Sequence, residues 1–210
     1  MGFVSADRIE IMHTLEEQVR TCPRCELCRS RTHAVPGAGR YDAEVMFIGE
    51  APGMNEDKRG LPFVGNAGKF LDEMLATIGW ERDDVYVTNV VKCRPPGNRD
   101  PLPDEIEACQ IYLDTQLETI NPRMVVTLGR FSMARWFKNE RISRIHGKPR
   151  ESDGRVIVPL YHPAAALHQP SLRAVLEEDF RKLPLILEEA RNKQGAADEA
   201  EVSPAQMKLF

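Results

Sequence analysis

Four short, continuous apolar runs punctuate the chain, at residues 45–48, 85–91, 124–128 and 156–161. They are rich in Val, Ile and Leu and do not alternate with polar residues, so each reads as a strand buried on both faces. Between them the period changes to that of a helix. In 67–78, Phe70, Leu71, Met74, Leu75 and Ile78 share one helical face. Pro103-Asp104-Glu105 opens a helix that runs to about Ile120, residues 130–137 make a shorter one, and 171–189 a last long one. Residues 1–20 carry acids and bases among spaced apolar positions, an amphipathic helix rather than a signal peptide. Strand–helix alternation of this kind predicts an α/β fold with a parallel sheet covered on both faces. From about Ala190 the period stops, and 191–205 reads as a flexible linker. The expected division is a domain at 1–190 and a tail at 191–210.

At 210 residues and 42% hydrophobic, the chain suits one compact domain. No apolar run approaches the roughly 18 residues of a membrane span. With no export signal a cytoplasmic, nucleoid-associated location is expected, where thiols stay reduced and metal ligation is favoured over disulfides. The net charge of −4 does not itself point to nucleic acid, but charge is unevenly placed. Residues 130–150 hold seven bases (Arg130, Arg135, Lys138, Arg141, Arg144, Lys148 and Arg150) against one acid, Glu140. Lys92, Arg94 and Arg99 add a second basic run. One such run is as readily a solvated face; two in one domain favour a surface that contacts phosphates.

Cys22 and Cys25 form a CxxC, and Cys93 and Cys109 follow far downstream. Two close thiolates with a distant pair make a four-sulfur cage for a metal or cluster, and these residues accept zinc as readily as a 4Fe–4S cluster. Cys28 extends the first motif to CxxCxxC and is left as a spare buried thiol. The second pair brackets Arg94-Pro95-Pro96-Gly97-Asn98-Arg99, so the cage pins a basic loop.

The remaining chemistry collects where ligands bind open parallel sheets, past the carboxyl ends of the strands. Gly49-Glu50-Ala51-Pro52-Gly53 follows the first strand and leads to Glu56 and the loop Gly60-Leu61-Pro62-Phe63-Val64-Gly65. A lone loop Phe is commonly a core plug, but here it is also placed to stack on a planar ring. Asn89 lies in an apolar strand, where its amide either braces a loop or reads a base edge. His162-Pro163 ends the last strand, well placed to donate to a developing oxyanion.

Together, Gly49 to Gly53, the Glu56 and Phe63 loop, Thr88-Asn89-Val90-Val91-Lys92-Cys93-Arg94-Pro95-Pro96 and Tyr161-His162-Pro163 resemble the family-4 uracil-DNA glycosylases, the iron–sulfur members of their superfamily. The resemblance spans about 22–187 and implies a three-layer α/β/α sandwich around a four-stranded parallel sheet. It implies a 4Fe–4S cluster on Cys22, Cys25, Cys93 and Cys109, and removal of uracil from single- or double-stranded DNA by base flipping, as a monomer. Phe63 is then expected to stack on uracil, Asn89 to pair with N3–H and O4, and His162 to donate to O2. Gly49 and Ala51 line the pocket. Glu50 is the first candidate to handle the water; Glu56 is the second, though the resemblance places it near uracil C5, where it helps exclude thymine. Leu167 is expected to wedge into the duplex, and His168 stands where related loops often carry Arg. Lys92 reads as a phosphate contact and His146 as part of the basic surface. Arg144-Ile145-His146-Gly147 is superficially similar to the loop of a relative that traps DNA covalently, but its place in the chain differs, so trapping is not expected. Gln206, Leu209 and Phe210 resemble a bacterial sliding-clamp peptide. The competing reading keeps the fold but makes the chain a non-catalytic iron–sulfur DNA-binding module associated with replication.

Overall fold

The computed structural model describes residues 5–202. In chain order its elements are α1 (Ala6–Arg20), β1 (Ala38–Gly39), β2 (Val45–Gly49), α2 (Met54–Arg59), α3 (Asn66–Thr77), β3 (Tyr86–Asn89), α4 (Pro103–Ile120), β4 (Met124–Leu128), α5 (Arg130–Met133), α6 (Ile142–Ile145), β5 (Arg150–Ser152), β6 (Arg155–Leu160), α7 (Pro163–His168) and α8 (Ser171–Val202). The sheet runs β1-β3-β2-β4-β6-β5. Its middle, β3-β2-β4-β6, is parallel as expected. The expected four strands become six, because β1 pairs antiparallel with β3 and β5 antiparallel with β6. These edge strands are two and three residues long, too short to leave a readable period.

The two faces explain the unbroken apolar runs. Met46 and Ile48 of β2 pack with Leu113 of α4 and with Met12, Leu15 and Val19 of α1. Val45 and Phe47 face the other way, toward Leu71 and Leu75 of α3 and Phe180 of α8. The Phe47 and Phe180 rings stack at 5.9 Å. Every residue of β2 is therefore buried, one side or the other.

The linker expectation is corrected in part: α8 continues past Ala190 to Val202. The clamp-like residues Gln206, Leu209 and Phe210 lie outside the described residues. No helix among the described residues is long and apolar enough to cross a membrane.

Candidate active site

The parallel strands end on one rim, where the order reverses between β2 and β4, and the loops there part to form a crevice. A cavity of about 300 Å³ opens at this rim, lined by Glu50, Ala51, Gly53, Glu56, Phe63 and His162 among others; Ala51 is there as expected, whereas Gly49, Asn89 and Leu167 are not part of its lining.

Glu56 organises the loop. Its Oε1 accepts the backbone N–H groups of Val64 and Gly65, both at 2.8 Å, and its Oε2 that of Gly53 at 3.1 Å. Both oxygens thus accept backbone N–H groups, which makes Glu56 a staple across the cavity wall and leaves Glu50, whose side chain makes no such bonds among the described residues, the first candidate to handle water. Phe63 sits beyond that staple at φ 53°, a left-handed conformation rare for a bulky residue. Arg82 Nη2 donates to its carbonyl at 3.0 Å. Gly68 makes the approach feasible, since a Cβ there would stand 1.8 Å from the Phe63 oxygen. The Phe63 ring faces the His162 ring at 5.7 Å and 27°.

Asn89 closes β3 and is buried, yet its Oδ1 has no hydrogen-bond partner. A buried amide oxygen left open costs about 1–3 kcal/mol, and a ligand donor is one way to recover it. Its direction is clear from Gly49: a Cβ on that glycine would lie 2.4 Å from Asn89 Oδ1 and 2.6 Å from Phe63 Cζ. The amide and the aromatic ring therefore converge on one bare Cα.

His162 caps α7. Its Nδ1 accepts the Ala164 N–H at 3.1 Å, which leaves the ring proton on Nε2. Burial pushes its pKa down to about 4, with the Glu56 carboxylate pulling the other way. The ring keeps an accessible edge on the cavity although protein packs densely around it. It is therefore a neutral donor at pH 7. Glu50, half-buried, is held above the ordinary carboxylate range by burial and by the Asp100 charge, against Arg130. Leu167 of α7 is 46% exposed, an apolar side chain offered to solvent.

The four predicted thiol ligands also converge. Cys22, Cys25, Cys93 and Cys109 line one small cavity, and Cys28 does not. Cys28 is partly exposed rather than the buried spare that was expected. Donors surround the sulfurs: Arg31 Nη1 to Cys93 at 3.1 Å, Lys92 N to Cys109 at 3.2 Å and Arg24 N to Cys22 at 3.5 Å. Such donors suit sulfur that carries negative charge, as a ligating thiolate does. Among the described residues no three metal-ligating side chains already form a closed group, so the fit rests on the donor set and its convergence.

Two expectations about the basic surface are overturned. Lys92 is 1% exposed and its Nζ is satisfied internally, so it touches no phosphate. His146 is not simply surface charge: its Nδ1 lies 2.6 Å from the buried carboxylate of Asp179. Arg99, Arg130, Arg135 and Arg150 are paired with Glu105, Asp100, Asp114 and Glu140. Among the described residues Lys138, Arg141, Arg144 and Lys148 make no ion pair, and they carry what remains of the basic face between 130 and 150.

The sequence profile of the Uracil DNA glycosylase superfamily matches residues 36–184. The chain is 51% identical to the type-4 uracil-DNA glycosylase of Sulfurisphaera tokodaii, over 83% of this chain and 84% of that protein. It is 48% identical to the type-4 enzyme of Archaeoglobus fulgidus, over 83% and 92%. A type-4 enzyme of Thermotoga maritima is 42% identical, over 83% and 94%.

Proposed function

We infer that this chain, which belongs to the uracil-DNA glycosylase superfamily, hydrolyses the N-glycosidic bond of deoxyuridine in DNA, releasing uracil and leaving an abasic site. The single observation that carries the reading is the unpartnered Asn89 Oδ1, buried beside Phe63 and facing the bare Gly49.

A target base inside a duplex is out of reach and must be flipped out, at a cost of a few kcal/mol. Leu167 fills the gap it leaves. Phe63 stacks on the flipped ring. Asn89 offers an acceptor to uracil N3–H and its amide N–H to O4. Cytosine reverses that pattern and would leave polar atoms unpaired in a dry slot, which discriminates strongly. The C1′–N1 bond then breaks with its electron pair leaving on uracil, so charge develops at O2, where His162 Nε2–H donates. The sugar is left cation-like. Water forms the new O–C1′ bond, and Glu50 orients it and takes its proton.

The thiols Cys22, Cys25, Cys93 and Cys109 suit a 4Fe–4S cluster, which when bound supplies a rigid four-point clamp between the start of the chain, the loop after β3, and α4. No part of the excision needs it as a reactant. A purely DNA-binding module has no use for a buried, unpartnered amide oxygen next to the Phe63 ring at the edge of a cavity, so the catalytic reading is preferred. The catalytic unit is proposed to span 1–190 and to act as a monomer. A clamp tether through Gln206, Leu209 and Phe210 rests on the residue pattern alone; Leu209→Ala with Phe210→Ala should abolish clamp capture, and unchanged capture would refute it.

The reading is tested with an oligonucleotide carrying one labelled deoxyuridine. Free uracil should appear together with alkali-labile sites, and Glu50→Gln should slow release at least tenfold. Intact substrate in single- and double-stranded form, with iron-loaded protein, would favour the binding module instead.

A further inference from the structure

Lys92 is the buried cation that the excision chemistry leaves without a task. Its Nζ donates to Thr88 Oγ1 at 2.7 Å, Gln116 Oε1 at 2.7 Å and the Asn89 main-chain carbonyl at 2.8 Å. An ammonium has three N–H groups, and here three acceptors receive them. Two of those acceptors are themselves anchored. The Thr88 hydroxyl donates to the Pro36 carbonyl at 2.8 Å, and Gln116 Nε2 donates to the same carbonyl at 2.8 Å and to the Tyr86 hydroxyl at 3.1 Å. The other end of the residue faces the thiols. Its backbone N–H donates to Cys109 Sγ, and Cys93 is its neighbour in the chain. Its carbonyl accepts the Val35 N–H at 2.7 Å.

Burying an ammonium among neutral acceptors is costly, and an apolar side chain of the same length would fill the space more cheaply. What an apolar side chain lacks is a grip on the last carbonyl of β3. The segment between that carbonyl and the thiols is also laced to the neighbouring strand, with Val90 N–H donating to Gly49 O and Val91 N–H to Glu50 O, each at 3.1 Å. The base-reading amide and the cage thus share one short stretch of chain, hydrogen-bonded at the Asn89 carbonyl and at the Val90, Val91 and Lys92 N–H groups.

We propose that Lys92 is a positioning residue that holds Asn89 in register with the thiolate cage, so that the cage's rigidity reaches the base-reading amide. The proposal rests on the uracil-excision reading and deepens it by naming what fixes the specificity group. The backbone bond to Cys109 survives any side-chain replacement. Loss of the ammonium should therefore leave the cluster site loaded and disturb only the amide.

The test uses iron-loaded Lys92→Met and Gln116→Leu, the latter removing one anchor without touching Asn89. Iron per chain and melting temperature are read first. Affinity is then measured for DNA carrying 2′-fluoro-deoxyuridine, which resists cleavage, against the same DNA carrying thymidine. Both variants should keep wild-type iron, bind the thymidine DNA as wild type does, and lose about tenfold of the preference for the uracil analogue; kcat/KM should fall by at least a similar factor with a raised KM, the scale expected for a small misplacement of a reading group. In an Asn89→Ala background the Lys92→Met change should cost less than about threefold, because its effect passes through the amide. Equal costs in the two backgrounds, an unchanged preference, or loss of iron and folding in both variants would overturn the proposal. Should wild-type protein itself release no uracil and show no preference for the analogue, the excision reading fails first, and the two failures are told apart.

Discussion

Asn89 Oδ1 and Phe63 Cζ both point at the hydrogen face of Gly49, 2.4 Å and 2.6 Å from where a Cβ would stand. A glycine is demanded here by space rather than by backbone angle. Gly49→Ala should push both side chains aside and cut uracil release by about 100-fold, since displacement of reacting groups by an ångström costs that order. The variant should keep wild-type melting to within a few degrees and full iron content. Normal single-turnover release by the Gly49→Ala protein would mean the slot lies elsewhere.

His162 should stay neutral well into the acid range. Its folded pKa of about 4 lies below the ordinary value near 6.5. Between those values the unfolded chain binds the extra proton and the folded one does not. This residue's contribution to stability is therefore fully present above about pH 6.5 and is lost as pH falls toward 4. Nitrogen NMR of the imidazole should show the Nε2–H tautomer at pH 5.5, held by the Ala164 N–H on Nδ1. An imidazolium signal at that pH would contradict the assignment.

Glu56 is predicted to act through architecture. Glu56→Ala leaves the Val64, Gly65 and Gly53 N–H groups without their acceptor and should cost about 1–3 kcal/mol, seen as a lower denaturant midpoint. Glu56→Gln keeps one acceptor oxygen and should recover part of both stability and uracil release. If Glu56→Gln matched Glu56→Ala in stability while release stayed abolished, the carboxylate charge itself would be the functional element.

The thiols divide four to one. Cys28→Ser should retain iron and the visible charge-transfer absorbance, because Cys28 stands outside the cavity that the others line. Cys109→Ser should lose both. Equal loss in the two variants would move Cys28 into the ligand set, and zinc in place of iron in wild-type protein would remove the cluster altogether.

Most of the fold was legible because β2, β3 and β4, and β6 from Ile157 onward, are buried on both faces, so their composition alone marks them. Edge strands as short as β1 carry no such mark. In the site, Gly49, Phe63, Asn89 and His162 could be singled out as residue types unusual for their local pattern, and the fold brings them together. What the pattern hid was pairing across long separations. Lys92 looked like a surface base because sequence gives no warning that Gln116, a helix away, turns inward to receive it. The same blindness applied to His146 and Asp179, and to Glu56, whose partners are backbone groups with no residue signature.

The central claim is that one amide reads the flipped base, and Asn89→Asp tests it most directly. Single-turnover release should be measured from otherwise identical oligonucleotides carrying one deoxyuridine or one deoxycytidine. The account predicts that wild-type protein releases uracil and no cytosine. In Asn89→Asp, which presents only acceptors when ionised, uracil release should fall at least 100-fold, in line with the 10⁴–10⁵ discrimination that hydrogen-bonding sites achieve. Uracil release by that variant at the wild-type rate, with cytosine still untouched, would contradict it.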